Sequence, residues 1–184
     1  MSVWAVENRL VLAQPATEEK SNEMTSIPLI LAQLALTGCI VPIDAMGTQL
    51  KMAEQKGDYA LALKDHQGDL YDEVKATFRL AESAAWQAER QVEKGHGRLE
   101  IREHWTLLDP AILAYLDPEG KWKGLRAIGV VRAQRRMEHQ TTQETRAFLL
   151  SFSSVSQFAT AVRSHWGIEN SVHWVLDVAF REDE

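Results

Sequence analysis

One stretch near the end of the chain carries side chains that could do chemistry. The pattern over residues 163–177 predicts a helix in which His165, Glu169 and His173 recur every four residues. At about 100° per residue, this spacing puts the three side chains on one helix face. A carboxylate between two imidazoles suits metal binding or general acid–base catalysis. An amphipathic helix whose polar tips reach water is the plain alternative, and spacing alone leaves both open.

A second carboxylate, Asp44, stands directly after a predicted strand. Residues 39–43 are a short apolar run, 48–55 have helical character, and 59–63 form another apolar run. A strand–helix–strand order implies a parallel sheet, in which functional groups gather at the C-terminal ends of the strands. Asp44 therefore lies where a catalytic or ligating side chain is expected. A structural helix cap is the alternative role for this residue.

The other elements complete an α/β fold with an inserted small antiparallel β region. Residues 1–14 predict a hairpin, which must join a larger sheet because an isolated hairpin is marginal in water. Helices are predicted over 25–36 and 67–93, strands over 98–105, 125–131 and 145–152, and a last helix capped by Ser154 or Ser156. The predicted division is a core over 1–94, a β-rich insertion over 95–153 and a final core helix over 154–184.

Composition and charge exclude several classes of protein. The chain has 184 residues, which is enough for one domain with a substantial core. A single cysteine, Cys39, excludes a disulfide framework and a cysteine-based zinc site, and its apolar neighbours predict that it is buried. Neither a signal peptide nor a membrane-spanning run is visible, so a cytoplasmic protein with no membrane partner is expected. The net charge of −6 argues against a dedicated nucleic-acid-binding module.

Several motifs together resemble one family. The most specific surround the two carboxylates, at 43–49 and at 163–183, and further matching segments lie at 20–23, 57–64, 94–100 and 122–129. These segments are very similar to those of the H-repeat-associated, ISAs-type insertion-sequence transposases of bacteria. The resemblance covers nearly the whole chain.

The resemblance implies a DDE transposase with an RNase H-like core. Enzymes of this kind use two aspartates and one glutamate to hold two divalent ions, Mg²⁺ or Mn²⁺, for phosphoryl transfer at DNA ends. Asp44 matches the second aspartate and Glu169 the glutamate, so both are the expected catalytic and metal-binding residues. The partners implied are double-stranded DNA, at the insertion-sequence ends and at the target, and a second copy of the chain in a homodimer.

The resemblance also implies supporting roles for the neighbours of Glu169. His165 lies one turn earlier, where related transposases often place an arginine that contacts DNA phosphate. A phosphate contact or a role in orienting Glu169 is therefore expected for it, with a packing role as the alternative. Asn170 and Asp177 lie on the adjoining helix face and, with His173, are expected to orient the glutamate. The expected DNA-binding residues are basic: Arg163 on the helix, and Arg98, Arg135 and Arg136 in the predicted insertion.

The chain departs from the family pattern in two respects. The first aspartate of the family precedes the second strand of the core, and this chain begins after that position, so the core is expected to lack its first strand. A chain with two of three carboxylates is expected to be inactive alone. Pro42 lies in the strand that leads to Asp44, and a proline there indicates an unpaired strand edge.

Two further hypotheses stay open beside the transposase. One is a non-catalytic DNA-binding module or vestigial remnant of a transposase. The other is an unrelated metal-dependent hydrolase with a single ion held by Asp44, His165, Glu169 and His173.

Overall fold

The computed structural model describes residues 3–5, 10–13, 29, 31–43, 49–63, 68–80, 85–95, 97–138 and 140–168. For residues 3–5, 10–13, 43, 49–51, 68 and 165–168 it describes the backbone alone. Within this part of the chain the strands are β1 (Val3–Ala5), β2 (Leu10–Ala13), β3 (Ile40–Ile43), β4 (Asp58–Leu63), β5 (Trp86–Gly95), β6 (Arg98–Leu107), β7 (Ala127–Met137) and β8 (Gln140–Leu150). The helices are α1 (Gln49–Glu54), α2 (Gly68–Leu80), α3 (Pro110–Leu116) and α4 (Val155–Ile168).

Six of these strands form one twisted sheet in the order β3-β4-β8-β7-β6-β5. The β3–β4 pair is parallel, as the strand–helix–strand pattern predicts, and every other pair is antiparallel. The strands predicted after residue 95 are antiparallel as expected. They continue the sheet that contains β3 and β4, because β8 is hydrogen-bonded to β4. The division of the chain into three parts stays a prediction.

The proline in β3 faces the open edge of the sheet. Asp58 N donates to Cys39 O across the β3–β4 pair at 2.8 Å, which starts a ladder through alternate residues of β3. Residues 39, 41 and 43 therefore turn their backbone groups toward β4, and Pro42 turns its nitrogen the other way. Within the described residues β3 is the last strand of the sheet on that side, so Pro42 removes no donor from the ladder. The unpaired edge indicated by this proline is confirmed for the part of the chain described.

The N-terminal hairpin is confirmed, with β1 and β2 paired antiparallel. Its expected union with a larger sheet is not observed among the described residues, where the two strands form a sheet of their own.

Three other expectations are wrong. The helix predicted over 67–93 ends at Leu80, and the second half of that span is β5, where Trp86 is buried edge-on against Phe78 with ring centroids 5.1 Å apart. Backbone pairing with β6 over ten residues outweighs the helical composition of β5. The strands predicted over 125–131 and 145–152 are too short, because residues 132–137 and 140–144 also belong to β7 and β8.

The third concerns Cys39, which is exposed. Cys39 lies between β3 and a turn at residues 37–38. Gly38 in that turn has a φ of 79°, a left-handed conformation that glycine adopts without strain. An apolar neighbourhood in sequence does not bury a residue that lies outside the strand itself.

Helices cover both faces of the sheet. On one face, α2 and α3 pack through Val74, Phe78 and Leu116 against the side chains of Leu107, Val130 and Leu149. On the opposite face, called here the α4 face, Phe158 and Val162 of α4 pack against a second apolar cluster that includes Ile40, Val131, Phe148 and Leu150. The sheet is therefore the middle of three layers, which is an α/β arrangement.

A glycine in the sheet sets the position of α4. Ser154 caps the helix, since its Oγ accepts a hydrogen bond from Gln157 N at 3.3 Å, as the sequence predicts. One turn into the helix, Phe158 is fully buried with its ring over Gly129 of β7. A Cβ at Gly129 would lie 2.7 Å from Phe158 Cζ and 3.1 Å from Leu150 Cδ1. Because Gly129 has no side chain, the sheet has a recess at this position, and the Phe158 ring occupies it.

None of the helices in the described residues is long and apolar enough to cross a membrane.

We expect Gly129→Ala to lower the free energy of unfolding by about 1–3 kcal/mol, because overpacking at a filled site forces Phe158 or Leu150 to move. Urea denaturation followed by far-UV circular dichroism measures it. Gly95→Ala is the matched control, since a Cβ there meets nothing within 4 Å, and it should change stability by less than about 0.5 kcal/mol. Equal stability of the two variants would contradict the proposed seat of Phe158. Partial rescue of Gly129→Ala by Phe158→Leu would support it.

Candidate functional site

Most of the residues expected to carry chemistry lie outside the described residues: Asp44, Glu169, Asn170, His173 and Asp177. His165 is within α4, but its side chain is not described. The structure instead describes the two elements that lead to the expected pair of carboxylates. β3 ends at Ile43, one residue before Asp44, and α4 ends at Ile168, one residue before Glu169.

These two elements run toward the same end of the sheet. The β7–β8 turn and the β5–β6 turn lie together at that end, because Leu99 pairs with Arg136 and Arg136 with Thr141. β4 runs antiparallel to β8, and β3 is parallel to β4, so β3 points from the opposite end toward the turns.

α4 points the same way and contacts β3. Phe158 lies near Gly129 and Phe148, at the level where β8 is ending, whereas Arg163 reaches Glu93 near the β5–β6 turn. Ile40 of β3 belongs to the apolar cluster that Phe158 and Val162 form with the sheet.

A buried glutamate collects three arginines on the α4 face near the turns. Glu100 Oε1 accepts a hydrogen bond from Arg135 Nε at 3.2 Å and forms an ion pair with Arg98 Nε at 2.9 Å, and Glu100 Oε2 pairs with Arg102 Nη2. The Glu100 side chain is 9 % exposed, whereas Arg98 and Arg135 are 47 % and 46 % exposed. A fixed, buried acceptor thus holds two guanidinium groups that still face solvent.

A second glutamate extends this cluster to α4. Glu93 Oε2 lies 2.7 Å from Arg163 Nη2 and 3.5 Å from Arg102 Nη1. We call the six side chains the Glu100 network: Glu93, Arg98, Glu100, Arg102, Arg135 and Arg163. Four arginines against two glutamates leave two positive charges on a chain whose overall charge is −6.

The ionisation of Glu100 follows from its partners. Burial raises the pKa of this carboxyl, but the charges of Arg102, Arg98 and Arg135 together outweigh burial, and the net pKa lies below the usual value. Glu100 is therefore a carboxylate at neutral pH, and it accepts hydrogen bonds from its arginines without a proton of its own.

A groove of about 270 Å³ runs beside the network. Its walls include Glu100, Arg102 and Arg135 from the network, and Thr142, Glu144 and Arg146 from β8. Val162 of α4 closes one side. The groove is thus lined on the sheet by charged and polar groups together with apolar side chains, among them Val131 and Ala133, and on the helix by an apolar residue.

The structure brings together three of the arginines expected to bind DNA and separates the fourth. Arg98, Arg135 and Arg163 belong to the Glu100 network. Arg136 follows Arg135 along β7, so its side chain lies on the opposite face of the sheet, where it donates to Gln134 Oε1 at 2.9 and 3.1 Å.

A buried histidine lies under α4 and was not singled out by the sequence. The His104 side chain is fully buried, with its ring edge-on to Phe158 at a centroid distance of 6.0 Å, and neither ring nitrogen makes a hydrogen bond of normal geometry, although the Glu89 backbone lies close to the ring. Burial lowers the pKa of this imidazole, and the charge of Arg102 lowers it further, while Glu89 opposes the shift. His104 is therefore neutral at pH 7.

The sequence pattern also missed the two glutamates of the network. Glu93 falls at the end of the helix predicted over 67–93, and Glu100 falls in the strand predicted over 98–105, where the pattern gives it no specific role. The alternation of residues 98–105 carried a usable signal, because positions 98, 100 and 102 of a strand share one face and place a glutamate between two arginines.

Among the described residues, no group of three or more His, Cys, Asp or Glu side chains is placed to hold a metal ion. The carboxylates expected to do so, Asp44 and Glu169, are outside that set.

Comparison with known proteins gives a consistent assignment. The family model described as "Transposase DDE domain" matches residues 1–184. The chain is 37 % identical over 195 residues to "H repeat-associated putative transposase YhhI" of Escherichia coli K12, with 100 % of this chain and 51 % of the relative covered.

Two further relatives agree. "Putative protein YbfL" of the same strain is 37 % identical over 195 residues, covering 100 % of this chain and 51 % of the relative. "Putative transposase YncI" of Escherichia coli O157:H7 is 36 % identical over 193 residues, covering 100 % of this chain and 49 % of the relative. The chain thus spans about half the length of these curated relatives. No solved structure matches.

His104 predicts a specific loss of stability in acid. Its pKa is lower in the folded protein than in the unfolded chain, so the unfolded chain binds more protons once the pH falls below about 6.5. The stability present above that pH is lost as the pH falls toward the folded pKa, with a limiting slope of about 1.4 kcal/mol per pH unit. Urea denaturation between pH 7.5 and 5.5 should show wild-type stability falling as the pH is lowered, with a contribution from His104 no steeper than this limit, and His104→Leu should reduce the fall. An identical slope in the variant would assign the acid sensitivity to other groups.

Proposed function

Because the chain belongs to the transposase DDE domain family, we propose that it forms part of the catalytic core of a DNA transposase, in which Asp44 and Glu169 hold divalent metal ions. The observation that carries the proposal is the common direction of β3 and α4. Two elements that contact each other and point to one end of the sheet lead directly to these two carboxylates.

The topology supports an RNase H-like core. A parallel pair of strands, helices on both faces of the sheet, and a last helix that packs across β3 and β4 are consistent with that fold. Within the described residues β3 is an edge strand, so a further strand of such a core could pair with it there.

The donor set suits a hard divalent cation. Carboxylate oxygens are preferred by Mg²⁺ and Mn²⁺, and Mg²⁺ keeps several waters, so few protein ligands suffice. Bound there, the ions would polarise a phosphoryl oxygen and activate the attacking hydroxyl or water. Within the chain, Asp44 and Glu169 bind the ions, and His165, Asn170, His173 and Asp177 orient Glu169.

The α4 face is the proposed contact surface for double-stranded DNA. The Glu100 network adds two positive charges there, near the end of the sheet toward which β3 and α4 point. Guanidinium groups that are half exposed can still reach phosphate oxygens, and such contacts dominate affinity without reading sequence. In this chain Arg98, Arg135 and Arg163 contact phosphate. Arg136, on the other face, does not.

The metal site is tested by calorimetric titration of Mn²⁺. Glu169→Gln should weaken binding by more than about tenfold, because removal of a direct ligand costs at least as much as removal of a group that only orients one. Asp72→Asn, at an exposed position on α2, is the control and should bind like the wild type. Wild-type binding unaffected by Glu169→Gln would exclude Glu169 as a ligand.

A DNA-nicking assay with the wild-type chain tests its catalytic activity. The 184-residue chain carries two of the three carboxylates that the family uses, so we propose that it nicks DNA slowly or not at all when tested alone with Mg²⁺. Robust nicking that Asp44→Ala abolishes would show that two carboxylates suffice. Metal binding without nicking agrees with a core that needs a third carboxylate, and DNA binding without metal binding would favour the non-catalytic module.

Two adjacent arginines test which face binds DNA. Arg135→Gln should weaken binding to a short duplex and reduce the slope of log K against log salt by about 1, because one phosphate contact is lost. Arg136→Gln removes the same charge one residue away, but on the other face, and should leave the slope unchanged. Fluorescence anisotropy at several salt concentrations measures both. Equal effects of the two variants would contradict a surface limited to the α4 face.

A further inference from the structure

The Glu100 network contains an acidic residue at the centre of a basic surface, which needs a physical reason. A carboxylate beside arginines normally reduces phosphate affinity, because it neutralises them and repels the ligand. Glu100 is also buried, and burial of a charge is costly unless it is paired and hydrogen-bonded. A surface that only needed positive charge would be served better by an uncharged side chain at this position.

The geometry gives Glu100 a second use. Its two oxygens form ion pairs with three guanidinium groups that come from two strands, Arg98 and Arg102 on β6 and Arg135 on β7. Arginine side chains lose considerable conformational entropy when they are fixed in one rotamer. Because Glu100 already fixes them in the unbound protein, less entropy is lost when a ligand binds. The half-exposed groups are then held ready to bind.

The network also reaches the helix that leads to Glu169. Arg102 and Arg163 share Glu93 Oε2, so a chain of charge pairs runs from β7 through β6 and β5 to α4. Arg163 is one and a half turns before the end of α4 at Ile168. The network therefore joins the edge strand β5 to α4 beyond the point where the apolar contacts of Phe158 and Val162 fix the helix.

We infer that Glu100 is a positioning residue, which holds Arg98 and Arg135 as a preformed phosphate-binding surface and, through Arg102 and Glu93, ties that surface to α4. The ligand class, a nucleic-acid phosphate backbone, rests on the proposed function. The new element is that a buried acid raises the affinity of this surface for an anion.

The direction in which one substitution changes the DNA affinity tests the inference. Glu100→Gln adds one unit of positive charge to the surface, so charge alone predicts tighter binding to a short DNA duplex. A positioning role predicts weaker binding and a smaller salt slope, because the arginines lose their common acceptor. Glu144→Gln is the matched control: Glu144 lines the same groove but is exposed and pairs with Arg146 alone in the described contacts of its carboxylate. Its affinity should equal or exceed that of the wild type.

Glu93→Gln provides a second variant should Glu100→Gln fail to fold. Glu93 is 45 % exposed, so its loss is tolerated more easily, and it breaks only the link between Arg102 and Arg163. It too should bind DNA more weakly than the wild type despite its added positive charge. Wild-type or tighter binding by Glu93→Gln, and by Glu100→Gln where that variant folds, would overturn the inference.

A readout without DNA separates this inference from the proposed function. In the wild type, the Nε–H group of Arg135 donates to Glu100, so nitrogen-15 NMR should show this group protected from exchange with water. Glu100→Gln should remove that protection and leave the Arg136 signal unchanged. Protection that survives Glu100→Gln would overturn the positioning role. If the wild type binds no DNA while the protection is present and Glu100-dependent, the proposed ligand is wrong and the positioning of the arginines stands.

Discussion

The pairing of β4 with β8 is the constraint on which the rest of the structure depends. It joins the short parallel pair, which leads to Asp44, to the long antiparallel hairpins that carry the arginines. The junction is reinforced by side chains, since Ser151 Oγ donates to Asp58 Oδ1 at 2.7 Å and accepts from Tyr59 N at 2.9 Å. Because Ser151 follows β8 directly and α4 begins four residues later, the same junction fixes where the last helix starts.

Two contacts of different kinds position α4 along its length: apolar packing in its first half and an ion pair in a later turn. The Phe158 ring fills the recess over Gly129. Because the packing there is tight, the first half of the helix cannot shift without a steric clash. The contact of Arg163 with Glu93 fixes a later turn by charge at a half-exposed site, where an ion pair alone contributes little. This second contact gains strength as part of a network that has a buried acceptor, Glu100, at its centre.

The features that could be predicted from the sequence are those that depend on residues close together in the chain. The parallel pair, the Ser154 cap and the unpaired edge beside Pro42 follow from short patterns, and all agree with the structure. β5 was predicted as a helix because its composition favours one, while its partner β6 lies across a turn and supplies hydrogen bonds that composition does not reveal. The position of Glu93 in the network depends on that same pairing. Asp44 and Glu169 were identified by motif resemblance, and they stay predictions because neither lies in the described part of the chain.

Overall charge is a poor guide to such a surface. A net charge of −6 argued against nucleic-acid binding, yet the sheet places four arginines from three elements around two glutamates within a few ångströms. The field near a surface is set by the charges within about a Debye length, roughly 10 Å at 0.1 M salt, and not by the total. An acidic chain can therefore present a local cationic surface, and acids at its centre stabilise it, because unpaired arginines crowded on one sheet face would repel one another. The local arrangement around Glu100, more than the sum over the chain, determines whether a phosphate backbone binds here.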